Sequence, residues 1–140
     1  REVKENYNPK EKIYLFREDY EASDGWEVFL SFENKERSKL FSLLRLRCPS
    51  FEEKPIFKNL EGAALIREIK TFGELVPLSE KKIAPQHKGL GKRLMKEAER
   101  IAVEEFNLHK IAVIAGVGVR GYFRRLGYRL NKSYMVKNVK

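Results

Sequence analysis

Cysteine is almost missing from this chain. Cys48 is its only cysteine in 140 residues, which excludes an internal disulfide and any metal site built from clustered thiolates. Cys48 precedes Pro49 after an apolar stretch. That is the setting of a small buried residue at a strand end rather than of a reactive thiol. The two histidines, His87 and His109, lie far apart with no carboxylate at ligand spacing, so no metal is expected. No apolar run approaches the roughly 18 residues that a membrane-spanning helix needs, and no membrane partner is expected. There is no internal repeat and no low-complexity tract. The chain opens with Arg1-Glu2-Val3-Lys4, with neither a starting methionine nor the apolar core of a signal peptide. We read it as an excised part of something longer, whose first residues carry no targeting information.

Acidic residues are in deficit: 29 Lys and Arg against 20 Asp and Glu give a formal charge of +9. This favours polyanionic partners such as a phosphate-bearing cofactor, a nucleic acid or an acidic surface. A solvated Lys/Glu-rich surface gives the same composition. The length suits one domain with its own core.

Residues 1–25 are polar and broken by Asn8-Pro9 and Ser23-Asp24-Gly25, with a short strand possible at 13–17. Residues 1–20 read as a linker and 21–140 as the domain. From Trp26 the period becomes two: Trp26, Val28, Leu30 and Phe32 alternate with Glu27, Phe29, Ser31 and Glu33, which predicts a half-buried strand. A turn at 34–37 returns the chain as a second strand over 39–47, ended by Pro49. After a linker to Glu61, residues 62–72 predict a third long strand. Pro77 and Pro85, with Gly73, make 73–85 a loop or short extra strand and exclude a helix.

Leu90, Leu94, Met95, Ala98, Ile101 and Ala102 recur at three- and four-residue steps and predict an amphipathic helix, ended near Asn107. Lys88, Lys92, Lys96 and Arg100 fall on another face. Lys110–Ala115 is short and continuously apolar, as in a strand buried on both sides. A short helix near 121–126 and a hairpin around Asn131-Lys132-Ser133 close the chain. Its middle is a βαβ crossover, so part of the sheet is expected to be parallel.

The crossover is entered through Gln86-His87-Lys88-Gly89-Leu90-Gly91. A helix N-terminus leaves its first N–H groups unpaired and carries about half a positive charge. Diphosphate oxygens satisfy both if side chains stay out of the way, which Gly89 and Gly91 allow. Lys88, Lys92 and Arg93 add positive charge at the rim. The spacing fits neither a Walker loop nor a dinucleotide fingerprint, whose third glycine would fall where Leu94 stands. A plain helix-capping glycine turn is the ordinary alternative.

This loop matches the signature Gln/Arg-x-x-Gly-x-Gly/Ala, and Tyr122-Phe123-Arg124-Arg125-Leu126-Gly127-Tyr128 matches the aromatic-rich helix ending in Gly-aromatic, of the GNAT acetyltransferases. The loop and the segments 94–102, 110–118 and 134–137, with Leu44-Arg45-Leu46-Arg47, Pro49-Ser50 and Ile66-Arg67-Glu68, also resemble the acetyltransferase domain of the Elongator catalytic-subunit family from about Tyr20 onward. The resemblance implies an α/β fold of GNAT type, a mixed antiparallel and parallel sheet with flanking helices and a βαβ crossover at the coenzyme A site. It implies acetyl-CoA as cofactor and tRNA as partner in a carboxymethyl-type modification of the wobble uridine, in the cytoplasm. It also implies a missing upstream radical SAM domain, where S-adenosylmethionine and an iron–sulfur cluster would bind. The oligomeric state is not implied.

Carried onto this sequence, Glu68, Ile69, Lys70 and Thr71 are the strand that pairs with the pantetheine arm. Gln86, His87, Lys88, Gly89, Leu90, Gly91, Lys92 and Arg93 hold the pyrophosphate, and Tyr122 and Phe123 line the cofactor. One departure stands out. Many GNAT enzymes carry a general-acid tyrosine four residues before the glycine of Gly-aromatic. Here that position is Phe123, and Tyr122 is one residue off, so the two side chains point about 100° apart. Tyr122 is the catalytic candidate on this reading, Phe123 a packing residue, and Glu68 either a base or an ordinary solvent-facing strand residue. The alternatives are a protein lysine acetyltransferase and a non-catalytic module binding tRNA or a partner.

Overall fold

A run of antiparallel strands opens the fold, and its first reversal is short and carries its own turn chemistry. The computed structural model describes residues 10–49, 60–72 and 89–140. β1 (Tyr14–Ala22) and β2 (Gly25–Glu33) pair in antiparallel register from Tyr14↔Glu33 to Ala22↔Gly25. Their two-residue turn places Ser23 and Asp24 at φ 49° and 61°, the left-handed pair of a type I′ hairpin. Read as a break, this triplet is instead a hairpin turn, and the strand before it runs to nine residues. Residues 14–20 therefore belong to the sheet, which moves the expected boundary at 20/21. The charges of Arg17-Glu18-Asp19 hid this strand; Arg17 lies at 2.6 Å from Glu105 of the helix.

β3 (Leu40–Pro49) and β4 (Ala63–Thr71) extend the meander, and α1 (Leu90–Phe106) then crosses to β5 (Lys110–Ile114). β5 lies parallel to β4, as the crossover predicts. A 3-10 turn at Val117–Val119 leads into α2 (Arg120–Arg125), and β6 (Arg129–Asn131) and β7 (Tyr134–Asn138) close the fold. The seven-stranded sheet has the order β1-β2-β3-β4-β5-β7-β6. The expected loop or strand at 73–85 lies outside the described residues.

The core forms between α1 and one face of this sheet. Leu90, Leu94, Met95, Ala98, Ile101 and Ala102 are all buried on α1 against Val28, Leu30, Leu44, Leu46 and Ile66. At roughly 1.5–3 kcal/mol per large side chain removed from water, this stripe outweighs the helix's modest intrinsic propensity. α1 ends at Asn107, which takes the left-handed conformation while the Leu108 N–H bonds the Ala102 carbonyl, a glycine-like helix stop. Tyr128 donates to Glu99 at 2.7 Å, and Lys137 joins the same carboxylate, tying the α2–β6 junction to α1.

β2 departs from expectation. Its polar side is not exposed: Glu27, Ser31 and Glu33 are buried along with Val28, Leu30 and Phe32, whereas Trp26 is 40% exposed. The polar groups are satisfied in place. Ser31 bonds Glu33, Arg37 reaches Glu33, and Arg47 bonds Glu27 at 3.1 Å. Alternation identified the strand and its two faces; pairing across the sheet decided that both are covered. Cys48 is 1% exposed, and burial pushes its thiol up to about 12.

Candidate functional site

The functional geometry begins with an irregularity in β4. Arg45 pairs with Glu68, but the next residue, Leu46, pairs with Ile66. Arg67 is thus the extra residue of a β-bulge, a feature that bends its strand and sharpens its twist. β4 parts from β5 at the same point. The two are in parallel register only from Ala63↔Lys110 to Ile66↔Val113, whereas β4 continues to Thr71 against β3 alone. Along Glu68–Thr71, no described strand pairs with the second edge of β4. The sequence does carry a sign of this bulge: Ile66 and Ile69 stand three apart with Arg67 and Glu68 between them, which breaks strict alternation. Only the pairing of Ile66 with Leu46 and Ile69 with Leu44 shows that the inserted residue keeps both on one face.

The bend brings the end of β4 under the start of α1. Gly89, at φ 61°, caps the helix, no described side chain caps it, and its first turn holds no acid. Among the described residues, the first-turn N–H groups and the positive end of the helix dipole have no acceptor. Gly91 is buried, and a Cβ there would lie 2.9 Å from the Tyr122 hydroxyl, 3.2 Å from Thr71 Oγ1 and 3.9 Å from Ile69. Its glycine is needed for close approach; that of Gly89 is needed for its left-handed backbone. Below them Ser42, fully buried, donates to the Lys70 carbonyl at 2.9 Å and lies 3.1 Å from Thr71 Oγ1. Sequence reasoning missed Ser42, since a serine in an apolar strand signals nothing before its partner strand is known.

Alternation along β4 separates the four expected strand residues. Ile69 and Thr71 face Gly91. Glu68 and Lys70 face the other side of the sheet, 3.1 Å apart, with Arg45 at 3.8 Å from Glu68. The Glu68 carboxylate is held by two cations away from the α1 N-terminus. Only the backbone of Glu68 and Lys70 borders the opening.

The loop residues divide similarly. Gln86, His87 and Lys88 lie outside the described residues. Leu90 is buried in the core and has only its backbone to offer. Lys92 is exposed. Arg93 lies over the Phe32 ring, 4.5 Å from its centre, so its charge is anchored against the sheet.

The aromatic pair splits as the 100° step requires. Phe123 is 3% exposed and sits in the core, edge-on to Tyr122 and Tyr128 at 5.2 and 6.0 Å. Tyr122 is half-buried and sends its hydroxyl to Gly91. Burial raises its phenol above the ordinary value, and the nearby charge of Arg125 opposes that rise. The hydroxyl is therefore protonated at neutral pH and able to donate. The one-residue offset from the usual tyrosine does not turn Tyr122 away from the site; it is Phe123 that turns away.

No protein-family model matches this sequence. Among the described residues, no helix is long and apolar enough to cross a membrane. The chain is 48% identical over 129 residues to bovine Elongator complex protein 3, covering 91% of this chain and 23% of that protein. It is 48% identical over 132 residues to the tRNA uridine(34) acetyltransferase of Methanocaldococcus infernus, covering 92% and 24%. It thus spans about a quarter of the length of the curated relatives it matches. The solved structure of archaeal M. infernus Elp3 with an N-terminal deletion superposes over 99% of this chain and 34% of its own, with a TM-score of 0.82 at 44% identity. A GNAT-family acetyltransferase from Staphylococcus aureus shares the fold at 12% identity, TM-score 0.52, over 81% of this chain and 68% of its own. On sequence and fold together, the chain belongs with the Elongator complex protein 3 and tRNA uridine(34) acetyltransferase family, as the homologue of about a quarter of its members' length, built on a GNAT-type α/β fold.

Proposed function

We propose that this chain is the acetyl-CoA-binding domain of a tRNA acetyltransferase, used in a carboxymethyl-type modification of the wobble uridine. The observation that carries the reading is the opening between β4 and β5 at the Arg67 bulge, with the uncapped start of α1 at its base. The chain's own groups fit the cofactor in two ways. A strand edge without a strand partner among the described residues suits an amide-bearing pantetheine arm, and the start of α1 at Gly89, where a Cβ would meet no described atom within 4 Å, suits a diphosphate. When bound, the cofactor supplies an acetyl group activated as a thioester.

The backbone of Glu68, Ile69, Lys70 and Thr71 would hold the arm. The segment from Gln86 to Arg93 would hold the pyrophosphate, mainly through N–H groups of the first helical turn, with Lys88 and Lys92 at the rim. Backbone N–H groups aimed into such an opening polarise a carbonyl oxygen. Tyr122, protonated and at the same opening, is the group we assign as proton donor to a departing thiolate. Phe123 serves by packing. The reading includes a radical SAM domain elsewhere in the whole protein, with its S-adenosylmethionine and iron–sulfur cluster, and a cytoplasmic setting. It is supported by relatives whose names state tRNA uridine(34) acetyltransferase.

Calorimetry of the chain with acetyl-CoA tests the binding. Saturable binding at micromolar to sub-millimolar ligand is expected, and none at millimolar ligand overturns the reading. Acetyl-CoA hydrolysis with and without tRNA, comparing wild type with Tyr122→Phe, tests the chemistry. Loss of turnover with retained binding is expected; unchanged turnover removes Tyr122. Robust acetylation of basic peptides by the chain alone would instead favour a protein lysine acetyltransferase.

A further inference from the structure

The excess positive charge is confined to one end of the chain. Eight of the 29 Lys and Arg lie in residues 106–140, together with none of the 20 Asp and Glu, so this quarter of the sequence carries +8 of the +9 formal charge. Lys137 bonds Glu99, and Lys110 donates to the Glu61 carbonyl. Arg120, Arg124, Arg125, Arg129 and Lys132 form no ion pair with a described residue. The contrast is with the arginines elsewhere among the described residues: Arg17, Arg37, Arg45, Arg47, Arg67 and Arg100 each stand within 4 Å of a carboxylate, and Arg93 lies over the Phe32 ring.

The five unpaired cations lie on neighbouring elements. α2 packs against β6 and β7, and β6 is the edge of the sheet. Arg120 and Arg124 stand one turn apart on α2, about 6 Å along its axis, with Arg125 beside them. Arg129 opens β6, and Lys132 occupies the following turn. Arg124, Arg125, Arg129 and Lys132 are exposed. Arg120 is partly buried, and its Nε is the one buried side-chain donor without a partner among the described residues. Like charges at this density repel and weaken the fold. A polyanion reverses that sign, and guanidinium groups match its phosphates with paired N–H donors.

We propose that α2 and the β6–β7 hairpin form an RNA-backbone surface, on which Arg120, Arg124, Arg125, Arg129 and Lys132 contact phosphates without reading bases. The choice of RNA over other polyanions rests on the tRNA-modifying reading above; the surface itself does not. It lies on different residues from the α1 N-terminus, and five cations exceed what the phosphates of one cofactor would engage. Such binding is dominated by counterion release and weakens steeply with salt.

The test measures binding of transcribed tRNA to the chain across a salt series, together with calorimetry against acetyl-CoA. The variant is Arg124→Gln/Arg129→Gln/Lys132→Gln, with Lys12→Gln/Lys35→Gln, on exposed sites far from this surface in sequence, as control. Each phosphate contact contributes about 0.7–0.9 to the slope of log affinity against log salt, so the triple variant is expected to lose about 2 from that slope. Its tRNA affinity at 0.1 M salt is expected to fall by about tenfold or more, while acetyl-CoA affinity and the control's tRNA binding stay unchanged. Equal losses in control and triple variant overturn the surface, as does a wild-type chain that does not bind tRNA. A triple variant that loses acetyl-CoA and keeps tRNA assigns these cations to the cofactor and also overturns it. A wild type that binds tRNA through these residues but no acetyl-CoA supports the surface while overturning the acetyl-CoA reading.

Discussion

The two halves of β4 belong to one strand, yet their outer edges differ. Ala63–Ile66 pairs with β5 throughout, and Leu65 and Ile66 are clamped between β3 and β5; Ala63, Ala64 and Ile66 are buried. Beyond the bulge at Arg67, Glu68–Thr71 is held along one edge only among the described residues, and Thr71 is exposed. The first half contributes to stability by covering apolar surface and completing its ladder. The second leaves backbone groups, a helix start and a hydroxyl facing one opening. A single inserted residue separates a half-strand closed on both edges from one that borders the opening. The difference is topological before it is chemical.

That comparison can be broken by changing one half at a time. The largest effect belongs to the clamped half: Ile66→Ala, at a side chain 2% exposed, is expected to cost about 3 kcal/mol in urea unfolding. Acetyl-CoA affinity, measured where the variant is folded, should change little. A large loss of affinity with little loss of stability would mean that the halves are not separate. The next effect falls at the opening. Gly91→Ala places its Cβ against the Tyr122 hydroxyl and Thr71, and we expect it to cost about 1–3 kcal/mol and to abolish acetyl-CoA binding. Tyr122→Phe in the same chain removes the closest of these atoms and should restore part of the stability. No restoration would show that the crowding lies with Thr71 or the backbone.

Ser42→Ala comes third. It removes a fully buried donor from the Lys70 carbonyl and a neighbour from Thr71, for about 1–2 kcal/mol. A weaker acetyl-CoA complex should accompany it if Ser42 fixes the unclamped half. Unchanged affinity would make it a core residue and nothing more.

The smallest effect lies far from both halves. The hydrogen bond from Arg17 holds the Glu105 carboxyl below its ordinary value, against the opposing effect of burial. A depressed carboxylate contributes stability above its unfolded pKa and loses it as pH falls through the folded one. Both groups are largely exposed, so the contribution is about 0.5 kcal/mol. Unfolding of wild type and Glu105→Gln should differ by about that much at pH 6 and converge as pH falls through the depressed titration of Glu105. A gap that persists in acid would place the effect elsewhere.

Much of this was legible in the residues. The six-residue stripe of α1, the parallel crossover and the closing hairpin follow from periodicity and turn chemistry, because those act within a few residues. β1 was only half legible: its charges look like linker until Glu105 is brought beside Arg17. The polar face of β2 was read as exposed although Ser31 and Glu33 find partners within four residues; among these partners only Arg47, which pairs with Glu27, is distant in sequence. At the site, the glycines were visible as glycines, but not why each is one. Only packing distinguishes the backbone demand at Gly89 from the steric demand at Gly91. The 100° step correctly separated Tyr122 from Phe123, but which ring would meet the opening depended on where α2 docks.

By itself, the sequence determined the elements, the crossover and the glycine-opened helix, all consequences of local periodicity and backbone freedom. Tertiary structure alone decided that β4 leaves β5 at Arg67, that Glu68 turns away while Thr71 turns in, and that Tyr122 reaches Gly91. A register, the parting of two strands and a docking angle are relations between segments, and no single segment encodes them.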